Sequence, residues 1–258
     1  MDFSNMRKNK RKYWLIYWIF IFLNLITFST TAQTVKDTTI AKPFGGKRVL
    51  QKMIVPATLI LGGSILSGKD FEKEFQTDVR GAVGENYEFK FGDYARYVPI
   101  VQMYTADALG VKSKNHWFDQ TKNLALAIVV TDFITFRLKN WIPKKRPGQV
   151  TESFPSAHTS FAFANAGVLY QEFKDTSPFL AYSGFGIAAA TGAFRVINNT
   201  HWISDVIVGA GIGILVTNLI YLFDPIIKWN PFLKKKNSFV FIPRFDQDQY
   251  GLYLTMKY

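Results

Sequence analysis

The 258-residue chain contains no cysteine. That single absence removes disulfides, thiolate nucleophiles and thiolate metal sites together, so the fold must be held by packing and hydrogen bonds. Histidine is almost as scarce, with three in the whole chain, and acidic residues number 19 against 31 lysines and arginines, a formal net charge of +12. An excess of that sign calls for an anionic partner or surface. No nucleic-acid module pattern is present, and anionic lipid or phosphate is the expected counterpart. Also missing are internal repeats, low-complexity segments and, before the C-terminal tail, the alternating pattern of strands.

What the chain does have is apolar and aromatic content, 48% and 16% of residues, sufficient for a sizeable core in one domain. Residues 1–32 stand apart. Arg7, Lys8, Lys10, Arg11 and Lys12 precede the apolar run Tyr13 to Phe28, and Thr30 and Ala32 suit cleavage before Gln33. This is the layout of a secretory signal or a short N-terminal anchor, and either exports the region beyond Ala32. Without those residues the chain still carries a charge of about +8, counting the five cations and Asp2 that they remove.

Apolar stretches recur at Met53 to Leu66, Tyr97 to Leu109, Leu124 to Phe136, Phe161 to Phe173, Pro178 to Phe194 and Ile203 to Phe223, separated by glycine and proline. The expected fold is therefore all-α, a bundle of about six helices over residues 33–230, embedded in a membrane. Ile203 to Phe223 is long enough to span, whereas the mean hydropathy of +0.03 is low for a chain that crosses many times. If the region after Ala32 is exported and the site faces the same side, one of Met53 to Leu66 and Tyr97 to Leu109 is expected not to cross. Gly209, Gly211 and Gly213 give the last helix a small-residue face for close helix approach. In the tail, residues 231–258, apolar residues alternate on either side of Asp246 to Gly251, which reads as a small β-hairpin.

The chemistry concentrates in three places. Lys139 and Arg146-Pro147 lead into Pro155-Ser156-Ala157-His158, and Arg195 precedes His201, which stands four residues before Asp205. Histidine and aspartate at that spacing share a helix face, so the carboxylate can hold one ring nitrogen and leave the other basic. Fixed cations suit the oxygens of a phosphoryl group, and Ser156 is placed to cap a helix whose first amides would point at the same anion. Lys144 and Lys145 are expected to be solvated or membrane-facing charges. His116 and Trp117 read as loop. A zinc or iron site on His158, His201 and Asp205 is the sharpest competitor, and neighbouring arginines argue against it by repulsion.

Lys139-x6-Arg146-Pro147, Pro155-Ser156-Ala157-His158 and Arg195-x5-His201-x3-Asp205 together resemble the motifs of the type 2 phosphatidic acid phosphatase family, over roughly residues 50–225. The wider family includes soluble acid phosphatases and vanadium haloperoxidases. The resemblance implies a cofactor-free phosphatase in which His201 is the nucleophile, Asp205 orients it and His158 protonates the leaving oxygen. Lys139, Arg146, Ser156, Ala157 and Arg195 would bind the phosphate, with no metal. The family's usual glycine is Ala157 here and its usual serine is Phe194, which removes a hydroxyl near the site. The implied substrate is a lipid phosphate or diphosphate, such as phosphatidate, a polyprenyl diphosphate or a lipid A, at an inner membrane with the site facing the periplasm. The alternatives are a soluble periplasmic acid phosphatase, a haloperoxidase holding vanadate, and a phospholipid-binding membrane protein without turnover.

Overall fold

The computed structural model describes residues 46–84, 87–89, 92–148, 151–225, 227, 229–233, 238–246 and 249–257. The signal or anchor segment read in residues 1–32 lies outside them. Eight helices occur among the described residues: α1 (Gly46–Leu66), α2 (Asp70–Val83), α3 (Gly92–Ala95), α4 (Val98–Ala108), α5 (Trp117–Trp141), α6 (Ala157–Phe173), α7 (Pro178–Ile197) and α8 (Ile203–Phe223). In the tail, β1 (Ser238–Asp246) pairs antiparallel with β2 (Gln249–Lys257), Asp246 facing Gln249.

α6 is the axis of the bundle, packed against α5, α7 and α8, while α1 lies along α8. Val168, Leu169 and Phe173 of α6 meet Val208, Ile212 and Val216 of α8 in the core. Two glycines set how closely α6 and α8 approach. A Cβ on Gly209 would come within 2.8 Å of the Ser156 carbonyl, and one on Gly213 would collide with the Ser160 carbonyl. Gly211, on another face, admits α1, where a Cβ would meet Ile60 at 2.7 Å.

The outer surface is apolar. Leu50, Ile54, Val55, Leu61 and Ile65 of α1 are all exposed, as are Val129, Phe133 and Phe136 of α5 and Phe179 of α7. Such continuous apolar faces fit lipid rather than water. Among the described residues, three helices are long and apolar enough to cross a membrane: Val49–Leu66, Pro178–Ile197 and Ile203–Phe223. α4, at 11 residues, is too short to cross a hydrocarbon core of about 30 Å alone.

Two helices lie outside the six apolar stretches because their sequences carry no apolar run. α2 buries Glu72, Gln76 and Arg80, a polar stripe at four-residue spacing. Gln76 donates to the Val196 carbonyl at 3.0 Å and Arg80 to the Ile197 carbonyl at 2.9 Å. These contacts satisfy the orphan carbonyls that end α7. Trp117 opens α5 rather than lying in a loop, and His116, in the connection before it, is its N-cap, its Nδ1 accepting from the Phe118 amide at 3.3 Å.

Gly213→Ala is expected to overpack the α6/α8 contact and lower stability by about 1–3 kcal/mol. Gly186→Ala, where a Cβ meets nothing within 4 Å, is expected to leave the thermal midpoint in detergent unchanged or slightly raised. Equal melting of the two variants would contradict the close approach.

Candidate active site

Helix polarity brings the three motifs to one end. α5 and α7 finish there, and α6 and α8 begin there, so Lys139, His158, Arg195, His201 and Asp205 fall in one layer. Asp205 occupies the third position of α8. Its Oδ2 accepts from the Trp202 amide at 3.0 Å, the reach-back of a capping box, and this fixes the carboxylate under His201.

His201 is 2% exposed. Its Nδ1 lies 3.6 Å from Asp205 Oδ2, longer than a direct hydrogen bond, and 3.3 Å from Ser153 Oγ. Ser153 in turn donates to Asp205 Oδ2 in a very short contact. The hydroxyl therefore bridges imidazole and carboxylate: with Nδ1 protonated, its N–H donates to Ser153 Oγ and the Ser153 O–H donates to Asp205. Nε2 is left with its lone pair. Burial lowers the His201 proton affinity while the Asp205 carboxylate raises it, and Lys139 and Arg146 add to the lowering. The net shift is downward, which keeps the ring neutral near pH 7.

Asp205 is also held by a cation that sequence reasoning assigned to solvent. Lys144 Nζ is 2.8 Å from Asp205 Oδ1, 2.7 Å from Glu72 Oε1 and 2.8 Å from Ser204 Oγ. Glu72 and Asp205 are 2% and 0% exposed, so this is a buried ion triad and not a surface charge. The ammonium also lies over the rings of Phe154 and Trp202 at 5.7 and 5.8 Å. Local sequence gives no sign of this, because the partner Glu72 comes from α2.

The remaining cations converge. Lys139 Nζ and Arg146 Nε both donate to the Glu152 carbonyl, at 3.2 and 3.3 Å. The His201 amide donates to the Arg195 carbonyl at 3.2 Å, tying the two motifs across the α7/α8 connection. Arg195 is 5% exposed, and its Nε and Nη2 have no hydrogen-bond partner among the described residues. Its Nη1 is 2.5 Å from Asp93, on α3, a residue absent from the sequence motifs. His158 Nε2 is 3.6 Å from the same carboxylate oxygen. Burial, followed by Arg195 and Arg96, lowers the His158 pKa to about 4, Asp93 pulling the other way.

One expectation changes. Ser156 is the N-cap residue of α6 by position, but its side chain makes no capping bond. It accepts from Thr159 Oγ1 at 2.9 Å, and its amide is used by the Asp205 carbonyl at 3.1 Å. The amide thus ties the start of α6 to α8, while the hydroxyl stays within the first turn of α6. Ala157 is the first residue of α6, in helical backbone without positive φ, so the side chain in place of glycine brings no strain. Ser153 and Asp93 were missed. Ser153 sits two residues before Pro155 and was open to notice; Asp93 is far from the motifs in sequence.

The class this geometry defines is a helical protein with a cation-walled site around a carboxylate-supported imidazole. Residues 132–229 match the model of the PAP2 superfamily. Over 148 residues, 57% of this chain, it is 31% identical to the lipid A 1-phosphatase of Porphyromonas gingivalis, and it spans about a third (33%) of that relative's length. Two solved structures are more distantly similar. One is the first transmembrane PAP2 type phosphatidylglycerolphosphate phosphatase from Bacillus subtilis, 17% identical, TM-score 0.41, with 84% of this chain and 96% of that one aligned. The other is LpxE of Aquifex aeolicus, 19% identical, TM-score 0.39, with 71% and 99% aligned.

Lys144→Met is expected to leave two buried carboxylates unpaired and to lower stability by about 3–5 kcal/mol. Adding Glu72→Gln is expected to recover part of that loss, read as a coupling energy in a double-mutant cycle of denaturant unfolding. Strict additivity would rule out the triad.

Proposed function

We propose that the protein is a phosphatase of lipid phosphates or diphosphates, working through a phosphohistidine on His201. The observation that carries this reading is Arg195: a guanidinium 5% exposed, with Nε and Nη2 unpartnered, beside two imidazoles and two further cations. A buried, unpaired guanidinium edge is unfavourable unless an oxyanion completes it.

In the reaction, the Nε2 lone pair of His201 forms an N–P bond as the bond from phosphorus to the leaving oxygen breaks. Asp205 and Ser153 stabilise the imidazolium that results. His158 gives its proton to the leaving oxygen; the charge of a bound phosphoryl group beside it favours that protonated form, opposing Arg195 and Arg96. Water then attacks phosphorus, its proton passes to His158, and the N–P bond breaks to release phosphate. Lys139, Arg146 and Arg195 stabilise the equatorial oxygens throughout.

The apolar exterior and the named activity of the Porphyromonas relative favour a lipid substrate of the phosphatidate, polyprenyl diphosphate or lipid A type. Purified protein is expected to release phosphate from such lipids faster than from small phosphomonoesters, without sensitivity to chelators. His201→Ala is expected to lower the rate by about 10³-fold or more. Release confined to soluble esters would support a soluble-type acid phosphatase instead. Binding without release would make the protein a lipid binder.

We also propose that the site end faces the periplasm. Lys52 and Lys174 lie at the other end of the bundle, where Asn218 donates to the Lys52 carbonyl and α6 finishes, as do Lys112 and Lys114 of the connection bonded to Glu172. In the sequence, Lys228 and Lys234 to Lys236 come soon after α8. Lysine-rich ends of spans stay cytoplasmic. This orientation puts the start of α1 on the cytoplasmic side, against the export of the region beyond Ala32 expected from residues 1–32. Because the chain has no cysteine, single cysteines report topology cleanly: Tyr94→Cys is expected to react with an impermeant maleimide from the periplasmic side, and Lys112→Cys only after permeabilisation. The reverse pattern places the site in the cytoplasm.

A further inference from the structure

One carboxylate in the site has no part in the phosphotransfer scheme. Asp93 is 2.5 Å from Arg195 Nη1 and 3.6 Å from His158 Nε2. It is carried by a segment that is clamped to the end of α7. Phe89 lies on Phe194 with ring centroids 4.5 Å apart. The Phe89 amide donates to Asn198 Oδ1 at 2.9 Å, and Asn198 Nδ2 returns a bond to the Phe89 carbonyl at 3.0 Å. Gly92 rests so close to α7 that a Cβ there would come within 2.9 Å of Phe194 Cβ and 3.3 Å of Arg195 Nη2. The aromatic residue at position 194, where the motif resemblance leads one to expect serine, is thus the seat that brings this segment to the site.

The geometry points to Asp93 as a positioning residue: it fixes Arg195 through Nη1, so that Nε and Nη2 remain for the oxyanion, and it places a negative charge beside His158 that favours the proton destined for the leaving group. The inference rests on the phosphatase reading for its second half and on geometry alone for its first. The charged and titratable groups acting on His158 are Arg195, Arg96 and His201, which disfavour its protonated form, and Asp93, which favours it. Asp93 is the one anion in that set. It is also 49% exposed at the side chain, so its substitution is not a core disruption.

Neutralising Asp93 therefore has opposite effects on binding and turnover. With Asp93→Asn, inorganic phosphate is expected to inhibit more tightly, since the cations gain net charge, while kcat falls about tenfold or more and its alkaline limb moves to lower pH. Asp93→Ser is expected to do the same, and Asp93→Glu to restore the limb in part. A merely structural role would weaken phosphate inhibition and kcat together and leave the limb in place; that result overturns the proposal. Wild-type protein that releases no phosphate from any lipid refutes the phosphatase reading separately. Calorimetric binding of inorganic phosphate then decides for Asp93: tighter binding in Asp93→Asn supports its pairing with Arg195, and equal or weaker binding refutes it.

Discussion

A single buried ammonium underlies the arrangement of the site. Lys144 joins a carboxylate of the amphipathic helix α2 to the carboxylate at the start of α8, and it does so from the loop that carries Arg146 and Ser153. Two carboxylates cannot be buried side by side without such a cation, and a cation this enclosed is tolerated only with carboxylates around it. The three elements consequently have little freedom to separate. The backbone repeats the constraint, because the Ser153 amide bonds the Lys144 carbonyl and Trp202 Nε1 bonds the Lys145 carbonyl. The loop between α5 and α6 is closed on itself before any substrate is considered.

That closure sorts charge within the site. Around His201, the negative groups lie beneath the ring and reach Nδ1, while Lys139 and Arg146 act on it as cations. An imidazole between opposite charges is polarised in the direction nucleophilic attack needs, one nitrogen holding a proton and the other presenting a lone pair. His158 has the reverse setting, with arginines predominating and one exposed carboxylate opposing them. Two chemically identical side chains are thus set among different neighbours, although burial lowers the proton affinity of both.

The sequence displayed the bundle and the motif residues clearly. Long apolar stretches marked α1 and α4 to α8, and the spacing of His201 and Asp205 placed the pair on one face, because both are local properties of a helix. Glycines 209 and 213 were readable as a close-contact face for the same reason. Contacts that depend on distant segments were not readable. Lys144 looks like any basic loop residue until Glu72 is brought to it from α2, and α2 itself escaped notice because its buried face is Glu72, Gln76 and Arg80 rather than apolar. Asp93 belongs to the same class: its role exists only where Phe89 finds Phe194 and Asn198. Ser156 failed in the opposite sense, since position suggested a cap whereas its hydroxyl is engaged by the Thr159 side chain.

The far end of the molecule bears on the site through leverage. α5 has 25 residues and is therefore about 37 Å long, and it carries Lys139 near its tip. Its foot is pinned to two other helices. Glu172 of α6 receives the Asn115 amide and side chain just before α5, and also the Tyr221 hydroxyl of α8, while Asn123 of α5 donates to Asp224 at 3.2 Å. For a rod of that length, pivoting by about 3° at the foot would swing the tip by about 2 Å. Displacements of that order are enough to misalign a reacting group. The polar knot farthest from the chemistry thus acts as the fulcrum that sets how accurately Lys139 is aimed.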